Sequence, residues 1–419
     1  MSEHPATALA GPRLLAAVFL PFAAGYYVSF LFRNVNSVAF PELTAAFDLT
    51  PSKLGLLTSV YFLAFASAQL PLGLLMDRYG PRRVNATMLL VAALGGAVFA
   101  FAAGLPALLA GRALIGLGVA VCLMASITVF TLWFPQERLA TITGWILLVG
   151  SIGALSATKP VELALRVVDW RTLFLVLSGL AVCASLAIFL AVPEKPAAAS
   201  GGTLRRQVAA IGAILRDRGF WTIGLASAFV QAIGIGLLGL WAGPWMRDVA
   251  GLDRAAMAQD LLYAAVAFGV GGVLCGTLSD RLAQRGVRPL ATFFAGCVAS
   301  TVVMIPIVLG WGAASLVLWA LFMALCPFGV LAFPLLTARF PRELTGRVVT
   351  ALNMVVFVLA FAIQYGVGAI IGLWPATDGR YALEGYVAAF GLCWALQAAS
   401  VAWLAYTERD ALKRVRTES

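Results

Sequence analysis

The sequence predicts an all-α membrane protein, twelve transmembrane helices arranged as two pseudo-symmetric six-helix bundles. Three observations carry that prediction. Of 419 residues, 62% are hydrophobic and 11% charged, with a mean hydropathy of +0.94, whereas a soluble domain carries roughly a quarter charged residues. Apolar stretches of about 20 residues recur along the chain, each long enough to cross a hydrocarbon core of about 30 Å. Short motifs repeat between the two halves, as a duplicated membrane unit requires.

The spans fall near residues 14–40, 52–75, 84–104, 107–133, 141–161, 172–192, 220–245, 260–279, 290–310, 314–337, 347–373 and 385–406. The first apolar run begins at Leu14, and it is too long and lacks the small-residue site of a cleavable signal peptide. With the N-terminus inside, about 20 Lys and Arg face the cytoplasm and about 8 the opposite side, the positive-inside asymmetry. Both termini are therefore expected in the cytoplasm. The abundant Ala, Gly and Arg fit a bacterial inner membrane. The net charge of +10 is read as this orientation signal, so no nucleic-acid partner is expected. The six cysteines (122, 183, 275, 297, 326, 393) all lie within spans without C-x-x-C spacing, which supports neither a metal site nor a disulfide framework. The sole histidine, His4, sits in the N-terminal tail and excludes a buried histidine relay. No nucleophile–base pair, metal set or nucleotide loop is present, so neither an enzyme nor a cofactor is expected.

The halves are read as 1–193 and 220–419, joined by a cytoplasmic linker at 194–219. In the linker Leu204, Val208, Ile211 and Leu215 share one helical face, suited to lie along a membrane surface. After the second span of each half stands a similar loop: "GLLMDRYGPRR" with Gly73, Asp77, Arg78, Gly80, Arg82 and Arg83, and "GTLSDRLAQRG" with Gly276, Asp280 and Arg281. A second pair, "FPQERLATITG" from Phe134 and "FPRELTGR" from Phe340, recurs at nearly the same offset. Span four carries "RALIGLG", with Arg112, Gly116 and Gly118. On these motifs the chain resembles the major facilitator superfamily over its full length, closest to its bacterial organic-anion carriers. The first loop matches that superfamily's commonest signature, and "RALIGLG" its fourth-span motif R-x-x-x-G-x-G.

Asp77 ends its helix, where the macrodipole disfavours an anion, so it needs compensation from the neighbouring arginines or from a helix N-terminus in the other half. A contact of the second kind would exist in one conformation only and act as a latch. The resemblance implies such latches from Asp77 to span eleven near Gly346 and Arg347, and from Asp280 to span five near Gly144. Gly73 would permit close helix approach and Gly80 the tight turn.

"FLFRNVNSVAF", residues 30–40, places Arg33 inside the first apolar run. Continuation of that helix to Pro41 would give roughly 28 residues and about 42 Å, a long tilted span. Pro41 supplies a stop, and Thr50-Pro51 a cap and first turn for the next helix. Tyr26, Ser29, Arg33 and Asn36 recur at helical spacing, a polar stripe that a water-exposed loop has no need of. Arg33 is therefore placed within the span, facing a central cavity, where an arginine normally marks a substrate path. "R-N-V-N" is similar to the first-span stretch of the superfamily's organic-anion transporters, which implies anion binding by Arg33; one residue more separates Arg33 from the second asparagine here. A snorkelling helix-end arginine, or a pair with Glu42 or Asp48, are the competing readings.

The fourth-span motif implies that Arg112 takes part in coupling or holds spans one and four together. Lys159, at the outer end of span five, either snorkels or adds positive charge to the cavity mouth. Gln231 and Trp241 in span seven and Asn353 and Gln364 in span eleven are candidate cavity residues, although each suits a helix–helix hydrogen bond equally. All 19 acids map to loops, tails or helix ends. Cationic groups in a cavity without a carboxylate suit an anionic solute. The expected protein is thus a monomeric secondary transporter in the lipid bilayer, moving a small anionic organic solute by alternating access. A co-transported proton and a counter-anion both stay open as the coupling partner. A broad-substrate exporter and a non-transporting sensor are the alternatives.

Overall fold

The computed structural model describes residues 12–193, 204–341, 344–377 and 379–409; His4 and the side chain of Asp77 lie outside the described residues. Among the described residues, twelve helices are long and apolar enough to cross a membrane: Leu15–Asn34, Pro51–Met76, Pro81–Ala100, Leu105–Trp133, Thr141–Ala164 and Trp170–Ala191, then Arg218–Asp248, Arg254–Gln284, Pro289–Val308, Gly312–Thr337, Thr345–Ile371 and Leu383–Thr407. Among the described residues the only extended pairing is one bridge between Thr377 and Arg380. Hydropathy marks these helices well because a backbone crossing lipid must satisfy its own amides. Span eight departs most, running from Arg254 to Gln284 instead of 260–279. It starts early because the Asp253 carboxylate accepts from Ala256 N at 2.8 Å and caps it. Span six begins the same way. The hydrogen bond from Thr172 to Asp169 holds that carboxyl below its usual range.

Span one does not end at Phe32. The helix Leu20–Asn34 pauses for one residue at Val35 and resumes as Asn36–Phe47. Pro41 is not the stop the sequence suggests, since it lies inside the second segment. A proline there forfeits one backbone bond, a loss tolerated where neighbouring helices and local adjustments support the chain. The Val38 N bond to Val35 O (3.3 Å) and the Ser37 Oγ bond to Asn34 O (2.7 Å) rebuild the turn around the pause. The segment ends at Asp48, which adopts the left-handed conformation at φ 47°. Thr50 Oγ1 then accepts from Lys53 N at 3.3 Å, with Pro51 in the first turn of span two.

Close backbone packing fixes span four. A Cβ at Gly116 would lie 2.3 Å from Tyr61 O of span two, and one at Gly118 2.3 Å from Ala92 N of span three. The linker helix Leu204–Arg216 does not simply float on a bilayer surface. Ile211 and Ile214 are buried in the core that also holds Phe220, Val348 and Leu352, while Val208 remains half exposed. Ile214 was not on the face the sequence marks.

The two sides of the molecule differ. On the side away from the linker the halves touch. A Cβ at Gly368 of span eleven would meet Pro51 O at 2.4 Å, and one at Gly55 of span two would meet Gln364 O at 2.9 Å. Ser37 and Phe40 press on Gly243 of span seven, and Glu42 pairs with Arg254 of span eight at 2.5 Å. On the linker side Gly73 and Gly346 have no neighbour within 4 Å of a Cβ position. Gly73 therefore makes no close helix approach in this conformation, because the halves are apart there.

Candidate functional site

Between the halves lies a cavity of about 580 Å³, walled by spans one, two and four, by span eleven, and by Ile211 of the linker helix. Helical spacing brings each wall together. Span two offers Phe65, Gln69, Gly73 and Met76, and span eleven offers Gly346, Thr350, Asn353 and Phe357, in each case recurring every three or four residues. Tyr26, Ser29 and Arg33 of the span-one stripe line it as well. Asn36 shares their spacing but does not line the cavity. It is buried beyond the Val35 pause, and its carboxamide makes no hydrogen bond among the described residues.

Arg33 is half buried, and no acid pairs with it among the described residues. Its guanidinium carbon lies 4.7 Å from the Phe30 ring centre, 5.3 Å from Phe65 and 5.4 Å from Phe357, and Nε donates to Tyr61 Oη at 3.5 Å. Three ring faces stabilise the cation without neutralising it. Glu42, one of the acids the sequence offers as a partner, is engaged by Arg254. Arg347 is the second cation on the wall, nearer the open side, and no carboxylate lines the cavity among the described residues.

The other predicted residues divide cleanly. Asn353 lines the cavity. Gln231, Trp241 and Gln364 do not, and each is committed elsewhere. Gln231 Nε2 donates to Ser227 Oγ at 2.9 Å and to Gly329 O of span ten at 3.5 Å, Trp241 Nε1 to Gln364 O at 2.8 Å, and Gln364 Nε2 to Gly236 O at 3.2 Å. They tie span seven to its neighbours, the packing alternative that periodicity left open. Arg112 is fully buried and donates to Phe32 O at 2.9 Å, with Tyr61 5.1 Å beneath its guanidinium, so it joins span four to span one. Lys159 sits 3.0 Å from Glu162, whose carboxylate is buried and also takes Arg166 at 2.7 Å. In the loop after span two, Gly80 adopts φ 81° and makes the turn. Arg78 stacks on Tyr79, and Arg82 binds Phe189 O. Arg83 has a partner of its own. Asp280 and Arg281 are exposed, and Gly144, the expected contact of Asp280, has no neighbour within 4 Å.

Several acids reach further into the helices than the sequence suggests, because those helices outrun their hydropathy limits. Asp260 and Asp280 lie inside Arg254–Gln284, and the carboxylates of Glu162 and Asp248 are buried within their spans. Asp248 accepts from Arg247 at 2.5 Å, Tyr386 Oη at 2.8 Å and Tyr381 N at 3.1 Å. Glu162 and Asp248 are both paired, and none of these acids lines the cavity. Among the described residues no cluster of His, Cys, Asp or Glu is arranged to hold a metal. Sequence reasoning missed Phe65, Gln69, Thr128, Thr350 and Phe357 on the wall. The three-to-four spacing in spans two and eleven was the available sign.

Comparison with known proteins places the fold and the family. A probable sulfoacetate transporter of Cupriavidus necator is 25% identical over 62% of this chain and 64% of its own length. A hexuronate transporter of Escherichia coli is 25% identical with the same coverage. The chain thus matches just under two thirds of the length of these curated relatives. The crystal structure of a bacterial homolog of the human lysosomal transporter Spinster, in an inward-facing and unoccupied conformation, superposes with a TM-score of 0.77. That likeness covers 98% of this chain and 100% of the other at 18% identity, and concerns the fold alone. The family model described as Major Facilitator Superfamily matches residues 22–365. With that match running from span one into span eleven, the chain belongs to the Major Facilitator Superfamily.

Proposed function

We propose that the protein is a secondary active transporter that moves a small organic anion across a bacterial inner membrane by alternating access. The observation that carries this reading is Arg33, a guanidinium on the wall of an intramembrane cavity with aromatic faces around it and no acid partner among the described residues. A charge in that position is costly unless something compensates it, and a solute anion does so. Relatives named for sulfoacetate and hexuronate transport agree with an anionic organic acid.

With both termini in the cytoplasm, the cavity opens inward and the Glu42–Arg254 side is the closed outer face. In the opposite state Asn36, one turn beyond Arg33, would find a hydrogen-bond partner in the solute. The linker-side gap would then close and bring the Asp77 loop to span eleven near Gly346 and the Asp280 loop to span five near Gly144. Proton symport and anion exchange both accord with such a cycle. The protein acts as a single chain in the bilayer, its two halves 1–193 and 220–419 rocking about the linker. Uptake of an organic-anion panel into proteoliposomes tests the reading. Wild type should accumulate at least one acid, and Asp77→Asn should slow that uptake at unchanged protein level. Absence of any anion flux from a well-folded preparation overturns it.

A further inference from the structure

We infer that the solute is a carboxylate with an apolar, ring-sized body, and not a polyhydroxylated acid. The inference rests on the anion reading of Arg33 and concerns what surrounds that residue.

The first support is the aromatic surround. Phe65 and Phe357, from opposite halves, pack with ring centres 4.4 Å apart, and both line the cavity beside Arg33. Tyr26 lines it on the span-one side. A carboxylate that reaches the guanidinium therefore brings the atoms attached to it against ring carbon.

The second support is the scarcity of uncommitted polar groups. A sugar acid presents several hydroxyls, and each needs a partner once water is excluded. Gln231, Gln364 and Trp241, the residues best suited to read hydroxyls, are off the wall and engaged. On the wall, one Gln69 amide hydrogen goes to Ala120 O at 3.4 Å, and the Thr128 and Thr350 hydroxyl hydrogens go to carbonyls of their own helices at 2.8 and 2.9 Å, so these hydroxyls can only accept. Besides the two arginines, that leaves the Tyr26 hydroxyl, Ser29 and Asn353 as donors to a solute hydroxyl, with the second Gln69 amide hydrogen.

The third support is the rest of the wall, where Val119, Leu70, Leu123, Met124, Ile127 and Val349 supply aliphatic and thioether surface. Sulfur and ring faces adapt to a flat apolar body. Each methylene buried there strengthens binding about fourfold. Each hydroxyl left unpaired weakens it about fivefold or more. Over a six-membered ring these effects compound to about 100-fold or more in favour of the apolar acid.

The test uses the purified full-length chain in lipid nanodiscs, with benzoate, cyclohexanecarboxylate and glucuronate as probes in calorimetric titrations. The two apolar acids should bind at least tenfold more tightly than glucuronate. Met124→Ser should weaken them about threefold or more and leave glucuronate within twofold. Phe357→Ser should act in the same direction; because Phe357 also joins the halves, Met124→Ser serves as the variant least exposed to misfolding. Glucuronate binding as tightly as the apolar acids, with Arg33→Ala abolishing it, overturns the apolar-body inference while the anion reading stands. If no acid binds wild type, or if Arg33→Ala leaves acid binding unchanged, both fall.

Discussion

Alternating access requires the contact between spans two and eleven to part when the cavity opens to the other side, and Gly368 lets that requirement be tested by one methyl group. In Gly368→Ala the added Cβ would sit 2.4 Å from Pro51 O and 2.8 Å from Trp241 Cζ2. An ordinary carbon–oxygen contact is longer by about 1 Å, and neither a backbone carbonyl nor a buried indole can swing aside. Overpacking of this kind costs about 1–3 kcal/mol. If only the state closed on the Pro51 side pays that cost, its population relative to the state open on that side falls about 5- to 150-fold. Gly366→Ala is the control, since nothing beyond its own stretch of helix lies within 4 Å of its Cβ position. The assay follows a membrane-impermeant maleimide applied from the linker side, reacting with Thr350→Cys on the cavity wall in a chain whose native cysteines have been replaced. Gly368→Ala should slow labelling against Gly366→Ala, by a factor that approaches the change in the ratio once the linker-side-open state is the minor one. Equal labelling rates in the two variants would refute the account of the closed side.

Three further outcomes follow from the same contacts. Glu42→Gln removes the Arg254 partner across the halves, but the pair is partly exposed. Its effect on labelling should have the same direction as Gly368→Ala and correspond to about 1 kcal/mol or less, shrinking further in high salt. Asp248→Asn removes a fully buried carboxylate from Arg247 and Tyr386. It should destabilise the protein by about 3 kcal/mol or more, read as a lower melting temperature that added salt does not restore. Arg112→Ala loses the bond to Phe32 O and the packing on Tyr61. It should cost about 2–4 kcal/mol in thermal stability, and a melting temperature equal to wild type would show that spans one and four are held by other contacts.

Much of this fold is legible in the chain because lipid leaves a helix few alternatives. Apolar runs mark all twelve spans found among the described residues. The misreadings have local causes. Pro41 looks like a terminator, yet the helix has already paused at Val35 and runs on to a left-handed Asp48. Hydropathy ends span seven before Asp248 and span five before Glu162, because an ion-paired carboxylate at a helix end scores as a loop. At the site, periodicity placed Tyr26, Ser29 and Arg33 on the cavity face, where they are. The same method cannot tell whether a polar side chain in a span meets a cavity or another helix. Gln231, Trp241 and Gln364 meet helices, while Phe65 and Phe357 look like lipid-facing aromatics in the sequence and enclose Arg33 in the structure.

The central claim is that Arg33 receives the charge of the solute. Its most direct measurement is the affinity of a transported organic acid for purified wild type, Arg33→Lys and Arg33→Ala at fixed ionic strength. Two charge-assisted hydrogen bonds are each worth about 1.5–3 kcal/mol. Arg33→Ala should therefore bind the acid about 100-fold or more weakly, with Arg33→Lys in between and all three melting at similar temperatures. An affinity in Arg33→Ala within threefold of wild type would contradict the account.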